Sequence, residues 1–87
     1  MKVSNMVSSR GNTVANQFIL TDGNNKEVFQ SYDSIIAMRQ DGRVTLDKNY
    51  WDYSVTTSKY RNIFLAEDKK TTVKKIASGE YKLADLN

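Results

Sequence analysis

The sequence predicts an α+β domain in which an antiparallel sheet of three to four strands precedes two short C-terminal helices packed on one of its faces. Between residues 14 and 47, apolar residues alternate with a period of two and Gly and Asn turn signals recur, which is typical of hairpins. After residue 55 the apolar spacing becomes that of a helix. Strands followed by helices indicate a sheet covered on one side.

The length of 87 residues allows one core, which buries about 60 to 65% of the surface of the unfolded chain. Apolar and charged contents of 39% and 26% are typical of a soluble globular domain. Residues 1–13 are rich in Ser and Asn without a clear period, so we expect a flexible or weakly ordered arm, or a poorly formed first strand. Residues 14–87 are expected to form a single α+β domain.

Two hairpins account for the predicted sheet. The first joins Val14–Thr21 to Glu27–Ser31 through the turn residues Asp22-Gly23-Asn24-Asn25. The second joins Tyr32–Arg39 to Val44–Asp47 through an Asp-Gly pair, which favours a tight hairpin turn. Ser31–Ser34 either bends or continues straight. On the first strand, one face holds Ala15, Gln17 and Ile19, and the face predicted to meet the core holds Val14, Asn16, Phe18 and Leu20.

Two helices are predicted near the C-terminus. The first spans residues 57–66 with Thr56 or Thr57 as its N-cap, and its inward residues are Tyr60, Ile63 and Phe64. The second spans residues 68–78 and ends at Gly79. Its inward residues are Val73, Ile76 and Ala77, and its outward residues are Lys69, Lys70, Lys74 and Lys75. The tail beyond Gly79 either adds a short strand or packs its Tyr and Leu side chains onto the core.

The net charge of +3 lies in the C-terminal third of the chain. Residues 1–54 contain six basic and six acidic residues, whereas residues 55–87 contain seven and four. A one-sided basic surface favours an anionic partner, nucleic acid first. The alternative interpretation is a Lys-rich helix face that is simply solvated.

The composition excludes several chemistries. The chain has no Cys and no His, which removes disulfides, thiol nucleophiles, the usual zinc sites and His acid–base catalysis. Its carboxylates are dispersed through turns, so we predict no catalytic, metal or cofactor residues and a protein that is not an enzyme. No secretory signal or membrane-spanning run occurs, so we expect a cytoplasmic protein without a membrane partner.

The candidate binding site combines hydroxyls at a helix N-terminus with basic side chains. Free amides and the partial positive charge of a helix N-terminus favour phosphate binding. The predicted nucleic-acid or partner-binding residues are Arg10, Thr56, Thr57, Lys59, Arg61, Asn62, Lys70, Lys74 and Lys75. The alternative is an ordinary N-cap with solvated neighbours.

Aromatic residues cluster beside the candidate site. Exposed rings interleaved with Lys and Arg stack the bases of a single strand, whereas buried rings would serve the core of a domain this small. The rings concerned are Phe29, Tyr32, Tyr50, Trp51, Tyr53 and Tyr60.

Several segments together resemble a group of short uncharacterised proteins from bacteriophages and mobile elements of gut and related bacteria. The segments are Ser9–Asn12, Val14–Phe18, Phe29–Tyr32, Ile35–Ala37, Tyr53-Ser54, Thr56–Asn62, Gly79–Tyr81 and Asp85–Asn87. That group is a domain of unknown function, so the resemblance supplies no catalytic or binding residues. It implies a phage-borne protein in the host cytoplasm that binds nucleic acid, inhibits a host defence or processing machine, or assists an assembly.

The function that these observations favour is a non-enzymatic nucleic-acid-binding module that uses a basic C-terminal helical surface. One alternative is a protein-binding inhibitor or accessory factor that acts on a host or phage complex in counter-defence. Another is a structural homo-oligomer that pairs through a sheet edge. The sequence leaves the oligomeric state open.

Overall fold

The computed structural model describes residues 2–87 and confirms an α+β fold, with a sheet larger than predicted. Six strands lie in the order β1-β2-β3-β4-β5-β6. The first five pair antiparallel and β6 pairs parallel to β5, so the sheet is mixed. The elements are β1 Lys2–Val7, β2 Thr13–Thr21, β3 Lys26–Ser31, β4 Ser34–Gln40, β5 Arg43–Asp47, α1 Val55–Leu65, α2 Lys69–Ser78 and β6 Tyr81–Ala84.

The first of the two additional strands, β1, lies where a flexible arm was expected. It pairs with β2 along its length, with a bulge between Asn5 and Val7. Only Met6 is buried, because β1 is an edge strand with little apolar surface to cover. The sequence of such an edge strand lacks the alternation of apolar and polar residues that predicts a strand. Met1 lies outside the described residues.

The predicted core face of β2 was wrong beyond its first residue. Asn16 adopts a left-handed backbone conformation, with φ of 65°, and is exposed. The alternation therefore changes phase, so that Gln17 is buried and Ile19 packs against the core. Phe18 and Leu20 consequently point to the opposite face. Asn tolerates this conformation better than most residues, which explains its presence there.

The turns follow their predicted chemistry. Asp41 and Gly42 both have positive φ, at 52° and 79°, as a tight hairpin turn requires. The open question at Ser31–Ser34 resolves as a second tight turn, since Ser31 pairs with Ser34. Tyr32, with φ of 54°, donates its backbone N–H to the carbonyl of Asn16 at 2.7 Å.

Both helices form, although α1 begins two residues earlier than predicted. Its N-cap is Ser54, whose hydroxyl accepts from the Thr57 amide at 3.1 Å, and neither Thr56 nor Thr57 takes that role. Gly79 ends α2 in the left-handed conformation, as predicted. The inward assignments need correction, because Ile63, Val73 and Ala77 are exposed. The side chains buried instead are Thr57, Arg61 and Leu65 on α1 and Thr72 on α2.

The core lies between the helices and one face of the sheet. Strand pairing aligns Ile19, Phe29, Ala37 and Leu46 in one row across β2 to β5. Phe64 of α1 stacks on Phe29, with ring centroids 5.9 Å apart, and Ile76 of α2 packs on the same cluster. Both helices therefore cover the same face.

The other sheet face, called the open face below, carries a second apolar row. Pairing aligns Val3, Leu20, Val28 and Met38 from β1 to β4, on the side away from the helices. Val3 is 59% exposed at the edge, whereas Val28 is buried in the centre. Antiparallel sheets commonly leave one face in water, but that face is usually polar.

Candidate functional site

The loop between β5 and α1 is held at its start by Asp47. This buried carboxylate accepts from the backbone amides of Asn49 and Tyr50 at 3.0 and 2.9 Å, and from that of Leu86 at 2.8 Å. Burial alone would raise the pKa of Asp47, but these hydrogen bonds hold it below its usual range. Asp47 thus fixes both the loop and the C-terminal tail.

The same loop is held at its end by Asp52 and Arg61. Arg61 is fully buried, and its Nη1 donates to the Trp51 carbonyl at 2.7 Å and to Asp52 Oδ1 at 3.1 Å. The guanidinium also lies over the Trp51 ring, 5.2 Å from its centroid. Lys69 of α2 reaches the other Asp52 oxygen at 2.6 Å. One carboxylate therefore joins the loop, α1 and the first turn of α2.

Asp52 stays ionised in this cluster. Burial alone would raise its pKa, but hydrogen bonds from Lys69, Ser58 and Arg61 together lower it. The negative charge of Asp52 offsets part of the charge of Arg61 and Lys69. Those two cations are consequently less available to an external anion than the sequence suggests.

A second polar cluster surrounds Glu67, between the helices. Its carboxylate accepts from the Thr72 and Tyr81 hydroxyls, both at 2.7 Å, and from Lys75 Nζ at 2.9 Å. Burial alone would raise the pKa of Glu67, but the three hydrogen bonds hold it below its usual range. Lys75 also lies over the Tyr81 ring at 5.2 Å. This cluster ties α2 to β6 and has a structural role.

Several predicted site residues belong to these internal contacts. Thr57 is buried and shares a hydrogen bond of 2.9 Å with the Ser31 hydroxyl of β3. Arg61 and Lys75 are held by Asp52 and Glu67. Asn62 is half-buried and accepts from Arg61 Nη2 at 2.9 Å. Thr57 and Arg61 are buried, so they offer no free surface to a ligand, whereas Lys75 is one-third exposed but paired with Glu67.

Arg10 is exposed and lies far from α2. It lies in the turn between β1 and β2, whereas α2 packs against β6 at the opposite edge of the sheet. Four to five strand spacings of about 4.8 Å separate these edges, or about 20 to 24 Å. Arg10 therefore does not lie beside Lys70 and Lys74 on α2.

The remaining predicted cations are exposed on the two helices, and together we call them the lysine surface: Lys59, Lys70 and Lys74. All three are exposed, and none forms an ion pair with a described carboxylate. Lys70 and Lys74 lie one turn apart, about 6 Å along α2. Thr56 is also exposed, in the first turn of α1. The lysine surface therefore contains the predicted helix cations that are exposed and form no ion pair with a described carboxylate.

A shallow groove of about 870 Å³ runs beside α1 and reaches the first turn of α2. Lys59 and Asn62 line it together with residues that the predicted site omits: Tyr53, Val55, Ile63 and Lys69. Val55, Lys59 and Ile63 follow each other at intervals of four, so a helix starting at Ser54 places them on one side. A helix that starts at residue 57, as predicted from the sequence, excludes Val55, so this pattern was not predicted.

A second depression of about 930 Å³ lies between the β4–β5 turn and the α2–β6 loop. Its charged lining residues are Asp41, Arg43, Glu80 and Lys82. Because the two signs balance, this depression has no preference for an anion. Among residues 2–87, no helix has the length and apolar character needed to cross a membrane.

Comparison with known proteins identifies a family. No curated protein and no solved structure matches the chain. Residues 1–80, which include everything from β1 through α2, match the model of a family of unknown function, DUF8033. The chain therefore belongs to this family of unknown function.

Proposed function

We propose that this protein is a non-enzymatic module that binds the phosphate backbone of nucleic acid through the lysine surface. The observation that carries the proposal is that Lys59, Lys70 and Lys74 are exposed without an ion-pair partner in the described chain, whereas the other helix cations are compensated. Uncompensated cations that project from neighbouring helices attract an extended anion.

The proposed contacts predict a weak, salt-dependent interaction. Three phosphate contacts give a slope of about −2 for the logarithm of affinity against the logarithm of salt concentration on a single strand. Affinity should then fall about 20-fold between 50 and 200 mM salt. A binding module without base-specific contacts would show little sequence preference.

Fluorescence anisotropy with labelled oligonucleotides tests the proposal. The double variant Lys70→Glu, Lys74→Glu should weaken binding about tenfold or more, because it removes two phosphate contacts and adds two like charges. The matched control is Lys48→Glu, Lys82→Glu, which makes the same charge change on exposed residues near β5 and β6. Equal losses in both variants, or no binding by the unaltered protein at low salt, would contradict the proposal.

The setting proposed for this activity is a phage or mobile-element protein in the cytoplasm of a bacterial host. The support is the resemblance of the sequence segments given above. Neighbouring genes are the observation that tests it. A replication, lysis or counter-defence cluster around the gene agrees with the proposal, and a chromosomal housekeeping operon contradicts it.

The open face favours a second candidate function, in which the protein binds another protein or a second copy of itself. An apolar row that ends in a residue 59% exposed, beside the unpaired edge of β1, is suited to such a contact. Light scattering distinguishes a homo-oligomer from a monomer. For a host or phage complex, the test is a pull-down from nuclease-treated lysate, with Val3→Lys as the variant that should lose a stoichiometric partner.

A further inference from the structure

We propose that the groove beside α1 binds single-stranded nucleic acid, with a base stacked on Tyr53. This inference rests on the proposed function and names the form of nucleic acid that the site takes. Tyr53 is 46% exposed and lines the groove. Tyr32 and Tyr50 are also exposed but are not part of the groove lining, and Tyr60 and Tyr81 are buried. A domain this small needs its aromatic rings for the core, so an exposed ring is a loss of buried apolar area.

The backbone on both sides of Tyr53 is held in place. Its predecessor Asp52 is fixed by Ser58, Arg61 and Lys69, and its successor Ser54 caps α1. The ring also meets Tyr50 edge-on, with centroids 5.4 Å apart and an angle of 78°. A ring that is already positioned loses little conformational freedom when a base stacks on it.

The walls of the groove suit the two parts of a nucleotide. Val55 is 88% exposed and Ile63 is 47% exposed, so they offer apolar surface to a base. Lys59 lies between them in the helix and offers its charge to the adjoining phosphate. Lys69, at the far side, is followed directly by Lys70 of the lysine surface. The groove therefore places an aromatic ring beside one unpaired cation, Lys59, with the Asp52–Lys69 ion pair also in its lining.

This arrangement favours a single strand over a duplex. In a duplex the flat faces of the bases are hidden in the stack, so Tyr53 has nothing to contact. In a single strand each base is free to stack on an aromatic ring, with little dependence on sequence. The lysine surface would contact either form, whereas the groove distinguishes them.

Anisotropy titrations of a single-stranded 15-mer and its duplex at low salt test the inference. The single strand should bind more tightly. Tyr53→Ala should weaken its binding between about fivefold and about a hundredfold, the range for loss of one stacked base, and leave duplex binding unchanged. Tyr53→Phe should stay within about twofold of the unaltered protein, because it keeps the ring.

A second variant is needed because a folding defect in Tyr53→Ala would also weaken binding. Ile63→Asp adds a negative charge to the groove at an exposed position and should weaken single-strand binding. Val7→Asp, 53% exposed on β1 at the other edge of the sheet, is its matched control and should have no effect. Equal affinity for both forms, or unchanged single-strand binding in Tyr53→Ala and Ile63→Asp, overturns the inference. If Lys70→Glu, Lys74→Glu still weakens binding in that case, the proposed function stands.

Discussion

Arg61 shows how one side chain changes the interpretation of a basic helix. In the sequence it is a cation beside hydroxyl residues, which is typical of a phosphate site. In the structure it is fully buried against Trp51 and Asp52. Burying a charged group is unfavourable unless it is paired and hydrogen-bonded. Nη1 and Nη2 of Arg61 meet these conditions, whereas its buried Nε has no hydrogen-bond partner among the described residues. Arg61 therefore organises the loop that carries Tyr53.

Replacing Arg61 should destabilise the fold. Arg61→Ala leaves the Trp51 carbonyl without its donor and leaves Asp52 Oδ1 with the Ser58 hydroxyl alone, and we expect the free energy of unfolding to fall by about 3 to 5 kcal/mol. Arg61→Lys should recover only part of this, because an ammonium cannot reproduce the guanidinium fork. Urea denaturation measures both variants, with Lys59→Ala as the exposed control. A loss under about 0.5 kcal/mol in Arg61→Ala would contradict the buried pairing.

Glu67 makes stability depend on pH. Its pKa is lower in the folded chain than in the unfolded one, so it stabilises the fold above its ordinary pKa of about 4.3. That contribution is lost as the pH falls through the folded-state pKa. Burial and the hydrogen bond to Glu67 raise the pKa of Tyr81. Tyr81 therefore stabilises the fold below its ordinary pKa of about 10, and this stabilisation is lost as the pH rises through the folded-state pKa.

Glu67→Gln should lower the free energy of unfolding at pH 7. It should also reduce the decrease in that free energy between pH 5 and pH 3. Unfolding free energies at pH 7, 5 and 3 measure this effect. Asp47 and Asp52 also have lowered pKa values, so some acid destabilisation should remain. Asp33→Asn, at an exposed carboxylate outside the Glu67 cluster, serves as the control. If the pH profiles of Glu67→Gln and the unaltered protein run parallel, the role given to the Glu67 carboxylate is wrong.

Among the elements, β2 depends most on one backbone conformation. The left-handed residue Asn16 turns Gln17 and Ile19 toward the core and accepts the hydrogen bond of the Tyr32 amide. A β-branched residue strongly disfavours this conformation. The direction of every later side chain in β2 follows from this single residue.

Substitutions at Asn16 test this account of β2. Asn16→Val should lower the free energy of unfolding by about 1 to 2 kcal/mol, whereas Asn16→Gly should change it by less than about 0.5 kcal/mol. Ala15→Val, at the exposed neighbouring position, is the control and should be nearly neutral. Thermal unfolding monitored by circular dichroism provides the measurement. Equal destabilisation by Asn16→Gly and Asn16→Val would show that the side chain, not the backbone, matters.

The elements that the sequence predicted are those with local signals. The Asp41-Gly42 hairpin and the end of α2 at Gly79 depend on residues adjacent in the chain. The phase of β2 depends on the left-handed backbone at Asn16, β1 lacks an alternating apolar pattern, and Arg61 is buried because the loop at Trp51 folds back over α1. None of these features follows from the spacing of apolar residues. The same distinction applies to the site, since the exposure of Lys70 and Lys74 was predictable and the groove at Tyr53 was not.

Across the whole molecule, the sheet separates two surfaces of different chemistry. The helices cover one face and present the lysine surface and the groove, while the open face presents an apolar row. Asp52 and Glu67 are paired with Arg61, Lys69 and Lys75 between the helices, so the exposed positive charge of the helical side comes from Lys59, Lys70 and Lys74. We therefore expect an anionic ligand to bind on the helical side.

Amide chemical shifts in a ¹⁵N-labelled sample, titrated with a single-stranded oligonucleotide at 50 and 200 mM salt, test this expectation most directly. We predict that the largest shifts occur at Tyr53, in α1 and in the first turns of α2, and that they shrink at the higher salt. The strands β1 to β3 should be nearly unaffected. Shifts concentrated on the open face, or no shifts at low salt, would contradict the assignment of binding to the helical side.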